Sequence, residues 1–186
     1  MRYLQISMTL IMMESQIKVN FTLRPFKNGD QVALVENANN IKIFNNVKDT
    51  FPHPYTYADA IWWIEFCKEN DKPATTFAID VDGKVVGAVG IIIGSDIQRV
   101  TAEIGYWLGE KYWGKGIAVE ALKQMTNYAF QTFPDLVRLW AAVFEYNKSS
   151  MRVLEKADYE FEGIRKKAAI KNGEVIDEYV YVKFRE

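Results

Sequence analysis

The sequence predicts a mixed α/β (α+β) domain, and three observations carry that expectation. They are a two-residue turn signal at Asp82-Gly83, a second at Asn172-Gly173, and between them a strand that passes through a glycine-rich turn into an amphipathic helix. Asp-Gly and Asn-Gly suit a type I′ turn, in which both central residues need positive φ, so each marks an antiparallel hairpin. Hairpins before and after a strand–turn–helix unit imply a sheet with helices packed on it. No repeat, low-complexity tract or linker divides the chain, so residues 18–186 are expected to form one domain, with residues 1–17 as an N-terminal extension.

The first strand is expected over residues 19–26, where Pro25 and the Asn28-Gly29 turn signal stop it, and a helix follows over residues 30–38. Thr56-Tyr57-Ala58-Asp59 matches a capping box, and Ile61, Trp62, Ile64 and Phe66 recur behind it with helical spacing. Residues 75–81 and 84–93 are rich in β-formers and make the arms of the Asp82-Gly83 hairpin. Over residues 101–108, Ala102, Ile104, Tyr106 and Leu108 alternate with Thr101, Glu103, Gly105 and Trp107. One face of that strand therefore holds Glu103 and Trp107 together. Ile117, Ala118, Ala121, Leu122, Met125 and Ala129 then follow a helical period, so a helix starts near Gly116. Residues 136–144 read as a strand, 149–157 as a short helix, and 164–171 with 174–184 as the arms of the second hairpin.

Composition narrows the function classes. Lysine and arginine number 23 against 24 acidic residues, which leaves no basic footprint for nucleic acid. The lone cysteine, Cys67, has no partner for a disulfide and no Cys or His at metal-ligand spacing, so a zinc site is not expected; in its amphipathic run it reads as a buried apolar side chain. The single histidine, His53, stands between Pro52 and Pro54 and reads as a loop residue. Residues 1–16 are apolar and methionine-rich, yet Gln5, Ser7 and Thr9 interrupt them and no small-residue cleavage site stands out. No run approaches the ~18 apolar residues of a membrane span. A cytoplasmic protein with neither membrane nor nucleic-acid partners is the expectation.

The chemistry concentrates in Tyr112-Trp113-Gly114-Lys115-Gly116-Ile117-Ala118, which joins the Glu103 strand to a helix. Two glycines let the backbone turn tightly and leave its amides free, and a helix N-terminus adds partial positive charge there, which together make an anion cradle. A plain strand-to-helix connection is the alternative. A nucleotide-binding Walker loop would end in Gly-Lys-Ser/Thr, which this turn lacks, and a dinucleotide fingerprint would need a third glycine.

In its setting this segment resembles the central motif of the GNAT acetyltransferase superfamily, Gln/Arg-x-x-Gly-x-Gly/Ala, aligned with Trp113 through Ala118. Glu103-Ile104-Gly105-Tyr106-Trp107-Leu108 before it, Glu120-Ala121-Leu122 after it, and Asn147-Lys148-Ser149-Ser150 with the following Glu155-Lys156 resemble the RimJ/RimL-like branch of ribosomal-protein N-acetyltransferases. Phe51-Pro52-His53-Pro54-Tyr55-Thr56 with Asp59-Ala60 is similar to that branch's substrate-side loop and helix. Three positions depart from the pattern. Trp113 stands at the Gln/Arg position, Asp158 replaces the glycine expected before Tyr159, and Leu154 stands where many relatives carry a tyrosine acid.

The resemblance implies a mixed, largely antiparallel sheet flanked by helices, with acetyl-CoA entering a splay between the strands of residues 101–108 and 136–144. It implies that the turn formed by Trp113, Gly114, Lys115, Gly116, Ile117 and Ala118 holds the CoA pyrophosphate. The backbone of Trp107 and Leu108 would pair with the pantetheine arm like an added strand. Asn147 and Ser150 would contact that arm near the thioester, Asn147 also being placed to cap a helix. Phe51, Pro52, Tyr55, Trp62 and Trp63 would line the acceptor side, with core packing as the other reading of the two tryptophans.

Acetyl transfer needs a neutral amine, and since amines have pKa values of about 8 to 10.4 a base must take the proton. Glu103, acting through water, is the candidate base, its alternative being a surface carboxylate; Ser150 is the nearest candidate acid. No nucleophile for an acyl-enzyme is supported, so direct transfer is expected, to a protein N-terminus or a small amine. The rival reading is a non-catalytic acyl-CoA-binding or regulatory module of the same fold. A homodimer is favoured only on general grounds.

Overall fold

The computed structural model describes residues 19–69 and 72–186; the extension expected over residues 1–17 lies outside the described residues. Seven strands form one sheet in the order β1-β2-β3-β4-β5-β7-β6: β1 (Thr22–Arg24), β2 (Thr76–Val81), β3 (Lys84–Ile93), β4 (Thr101–Leu108), β5 (Arg138–Phe144), β6 (Glu160–Lys171) and β7 (Glu174–Phe184). Neighbours are antiparallel except β4 and β5. Both hairpins turn as the sequence demands, with positive φ at Asp82 and Gly83 and at Asn172 and Gly173.

Helices cover both faces. On one lie α1 (Gln31–Ala38) and α3 (Tyr57–Glu69), whose buried Leu34, Ala60 and Ile64 pack on Ala78, Val85 and Ala88, with the one-turn α2 (Ile41–Phe44) between them in the chain. On the other, α4 (Ile117–Thr132) and α5 (Lys148–Lys156) bury Ala121, Leu122, Met125 and Leu154 against Val89, Ile104, Leu139 and Tyr181. Each fully buried leucine, isoleucine, valine or methionine among them contributes about 1.5–3 kcal/mol. The capping box forms: the Thr56 amide donates to Asp59 Oδ2 at 2.7 Å and the Asp59 amide to Thr56 Oγ1 at 3.3 Å.

Three local expectations shift. The first strand pairs only over Thr22–Arg24 and stops ahead of Pro25, which has no N–H for the ladder; the Arg24 side chain binds Asp30 at 2.8 Å and Asp80 at 2.7 Å. The one-turn α2, which hydrophobic period did not show, is set by Asn40, whose side chain accepts the Lys42 amide. β6 begins at Glu160, ahead of the expected residue 164, through a register shift between Phe161 and Gly163. Asp158 has φ 63°, which explains the expected glycine: the chain leaves α5 in the left-handed region, where Asp is one of the few tolerated residues. Cys67 is buried, as its amphipathic run suggested.

Candidate active site

The site begins where two strands part. β4 and β5 pair in parallel at Thr101–Arg138, Ala102–Leu139 and Glu103–Trp140, and no further, although both continue. Beyond Glu103 the sheet is split. Two bonds fix which groups line the gap, Gly94 N–H to Thr101 C=O at 2.9 Å and Gly109 N–H to Val86 C=O at 2.7 Å. Antiparallel pairing alternates between them, which turns the backbone of Glu103, Gly105 and Trp107 toward β3 and that of Ile104, Tyr106 and Leu108 toward the gap. The strand-like edge available to an extended ligand is therefore Ile104, Tyr106 and Leu108. Trp107 faces the site with its ring and not its backbone.

At the end of β4 the turn of residues 113–116 leads into α4. Gly114 and Gly116 have φ 73° and 76°, and a Cβ built on either would meet no atom within 4 Å. The bond across Gly116 is Glu120 N–H to its carbonyl at 3.2 Å, so the amides of Ile117 and Ala118 precede the helical ladder without intrahelical acceptors. Open, side-chain-free backbone at the mouth of a 16-residue helix suits a pyrophosphate. Trp113 answers for the missing Gln/Arg differently: its indole N–H donates to the Leu108 carbonyl at 2.6 Å and ties the turn to the strand. Lys115 Nζ sits 5.3 Å over the Tyr112 ring.

On the α5 side, Asn147 caps the helix by accepting the Ser150 amide at 3.1 Å. Ser150 Oγ lies 2.8 Å from the Tyr106 hydroxyl, and burial pushes that phenol up to about 12, partly offset by the Ser150 bond. Tyr106 is the residue the sequence reading missed. Its place opposite Glu103 in the β4 alternation was visible, but its approach to a residue 44 positions later was not.

On the α1–α3 side, Glu103 (side chain 23% exposed) is paired by Lys48 Nζ at 2.8 Å. Phe51 packs edge-on against Trp107 with centroids 5.6 Å apart and against Tyr55 at 5.2 Å. Between Glu103 and Trp107, Gly105 carries no side chain and has open space above it, which leaves a notch in this face. Pro52 is half-buried beside Phe51, and Tyr55 is buried in the core, where burial raises its phenol pKa. The helix α3 tryptophans make other contacts: Trp62, 63% exposed, stacks on Phe66, and Trp63 packs edge-on against Phe26.

The segment over this face is held from the far hairpin. Buried Lys171 (side chain 2% exposed) donates to Asp49 Oδ1 at 2.6 Å and sits 3.6 Å over the Phe44 ring, on which His53 stacks. Asn172 and Tyr146 bind Asn45 at 3.1 and 2.7 Å.

Residues 20–160 match the family described as Acetyltransferase (GNAT) domain. The chain belongs to the GNAT acetyltransferase family. Among curated relatives, the probable N-acetyltransferase YjcK of Bacillus subtilis (strain 168) is 43% identical over 94 residues, 50% of each chain. The chain thus spans about half the length of the curated relatives it matches first. A crystal structure of the microcin C7 self-immunity acetyltransferase MccE with acetyl-CoA and AMP superposes with a TM-score of 0.75 at 26% identity, covering 90% of this chain and 95% of that one. RimL, a ribosomal L7/L12 α-N-protein acetyltransferase solved with coenzyme A, shares the fold with a TM-score of 0.77 over 89% of this chain and 96% of its own, at 19% identity. The chain that carries this split sheet and glycine turn thus has a GNAT fold. Among the described residues no helix is long and apolar enough to cross a membrane, and no group of three or more His, Cys, Asp or Glu is placed to hold a metal.

Proposed function

We propose that this GNAT chain is an acetyl-CoA-dependent N-acetyltransferase that moves the acetyl group directly to a primary amine. The observation that carries the reading is the parting of β4 from β5 at Glu103, beside an open glycine turn at the start of α4. One molecule with an extended amide-containing arm and a pyrophosphate satisfies both. Acetyl-CoA, when bound, supplies an acetyl group activated as a thioester.

The chain's own residues do the rest. The amides of the 113–118 turn hold the phosphates, with Trp113 and Lys115 framing it. The Tyr106 backbone and the Leu108 N–H pair with the pantetheine arm from one side of the gap, and Asn147 and Ser150 face it from the other. Phe51, Pro52 and the Trp107 ring bound the acceptor notch over Gly105, and buried Tyr55 supports Phe51. Trp62 and Trp63 contribute at most the outer wall. Glu103 takes the amine proton through water. The Tyr106–Ser150 hydroxyl pair, kept protonated by burial, returns a proton to the departing sulfur.

The acceptor is a protein N-terminus or a small amine, in the cytoplasm, and a homodimeric state belongs to the same reading. Thiol release measured over a panel of amines and N-terminal peptides tests it. Turnover with at least one acceptor is expected. Tight acetyl-CoA binding with no turnover for any acceptor would establish the non-catalytic acyl-CoA-binding alternative instead.

A further inference from the structure

Glu103 already holds an ammonium. Lys48 Nζ lies 2.8 Å from its Oε1 and 2.9 Å from its Oε2, the position a protonated acceptor amine would take on the same carboxylate. Lys48 (side chain 62% exposed) belongs to a fixed segment. Its neighbour Asp49 is anchored by buried Lys171, and a little further along Phe51 is seated on Trp107. The backbone that carries Lys48 is thus pinned on both sides over the face that holds Glu103, the Gly105 notch and Trp107.

We propose that Lys48 is itself an acetyl acceptor, modified in cis when no better amine fills the notch. The proposal rests on the acetyltransferase reading above. In the step, the Lys48 ammonium gives one proton to Glu103, and its nitrogen lone pair forms the C–N bond to the thioester carbonyl carbon. The C–S bond then breaks and its electron pair leaves on sulfur. The nitrogen loses its second proton as the amide forms. One of the two protons ends on the CoA thiol and the other passes through Glu103 to solvent. The product is a neutral acetyl-lysine, which no longer pairs with Glu103 and leaves the carboxylate free for an incoming amine.

The test uses the full chain incubated with acetyl-CoA and no added amine, followed by peptide mapping in a mass spectrometer. Lys42 and Lys111 are internal controls, being about as exposed as Lys48 and also ion-paired, to Glu110 and Glu36. Acetylation should appear on Lys48 well ahead of both, at a rate independent of protein concentration. It should slow by roughly 10²-fold or more in Glu103→Gln, as removal of a general base requires. Lys48→Arg should abolish the mark at that position. A second readout needs no acetyl-CoA: reductive methylation of Lys48 should speed up severalfold in Glu103→Gln, because the amine is no longer engaged by both oxygens of a carboxylate.

Lys48 marked no faster than Lys42 and Lys111, or at a rate that rises with protein concentration, would overturn the proposal. So would a methylation rate unmoved by Glu103→Gln. If amines of the panel turn over in that same preparation, the acetyltransferase reading survives the loss. Absence of both the Lys48 mark and any amine turnover overturns both.

Discussion

The Lys171–Asp49 pair should respond asymmetrically to the loss of one partner or the other. The Lys171 side chain is 2% exposed and the Asp49 side chain 70% exposed, so the pair joins a buried cation to a largely hydrated anion. Removing the anion with Asp49→Ala strands the ammonium. Breaking a buried pair in this way costs about 3–5 kcal/mol. The Phe44 ring remains beneath the charge and returns about 1 kcal/mol of cation–π attraction. A net loss of about 2–4 kcal/mol follows for Asp49→Ala.

Lys171→Met leaves only a surface carboxylate facing water and keeps an unbranched apolar chain under Phe44. Its cost should be within about 1 kcal/mol of zero. For a chain of this size each kcal/mol moves Tm by roughly 2–4 °C, so Asp49→Ala should melt about 4–16 °C below wild type and Lys171→Met within about 4 °C of it. Differential scanning calorimetry at pH 7 reads both. Equal losses, or a greater loss for Lys171→Met, would refute the argument that burial of the cation decides the cost. Since the pair also fixes the segment that carries Lys48 and Phe51, both variants should raise KM for the amine more than KM for acetyl-CoA.

Glu103→Gln keeps the shape of the side chain and removes its basicity, so kcat should fall roughly 10²–10⁴-fold at neutral pH with acetyl-CoA affinity nearly unchanged. Part of the loss should return as pH rises toward the acceptor's own pKa; an unaltered pH–rate profile would make Glu103 a structural carboxylate. Gly116→Val forces a β-branched residue to φ 76° and puts carbon where the turn is open, so calorimetric titration should show acetyl-CoA binding lost from a folded protein. Ser150→Ala and Tyr106→Phe should each lower kcat by about 10²-fold, and the double variant little more than either, if the two hydroxyls act as one proton path. Burial raises Cys67 from 9.0 to about 12 and Tyr106 from 10.0 to about 12. Both ionise more readily when unfolded, so their contribution to stability is whole below pH 9 and drains away between there and pH 12. Thermal scans of Cys67→Ala against wild type should show a shallower alkaline decline, and parallel curves would contradict it.

What could be read from the sequence was what depends on near neighbours. Asp82-Gly83 and Asn172-Gly173 dictate their turns, β4 announces its two faces by alternation, and the capping box at Thr56 needs only Asp59 to complete it. The glycine turn was legible for the same reason, since positive φ at Gly114 and Gly116 is a property of the local backbone. The contacts that arm the site were not. Lys48 meets Glu103 across 55 positions, and Lys171 meets Asp49 across 122. A lysine that ends almost wholly buried carries no local mark of it. Helical spacing placed Trp62 and Trp63 on α3, but only packing shows which rings they meet, Trp62 stacking on Phe66 and Trp63 standing edge-on to Phe26. Register, too, is a pairwise fact, and it turns the backbone of Tyr106 and Leu108 toward the gap and that of Trp107 toward β3.

The parting of β4 from β5 puts a sheet edge in the middle of a sheet. Unpaired edges usually lie at the rim, where charge or short length guards them against joining another chain. Here the guard is enclosure: α4 and α5 stand on one side, the segment carrying Lys48 and Phe51 covers the other, and the Trp113 indole stops the last carbonyl, that of Leu108. A slot bounded in this way favours a thin, single, amide-bearing chain over a protein strand with side chains on both faces. Its occupant would add the hydrogen bonds that tie the β1–β4 half of the sheet to the β5–β7 half. Ligand concentration would then set how firmly the two halves hold together, with stability growing as RT ln(1 + [L]/Kd).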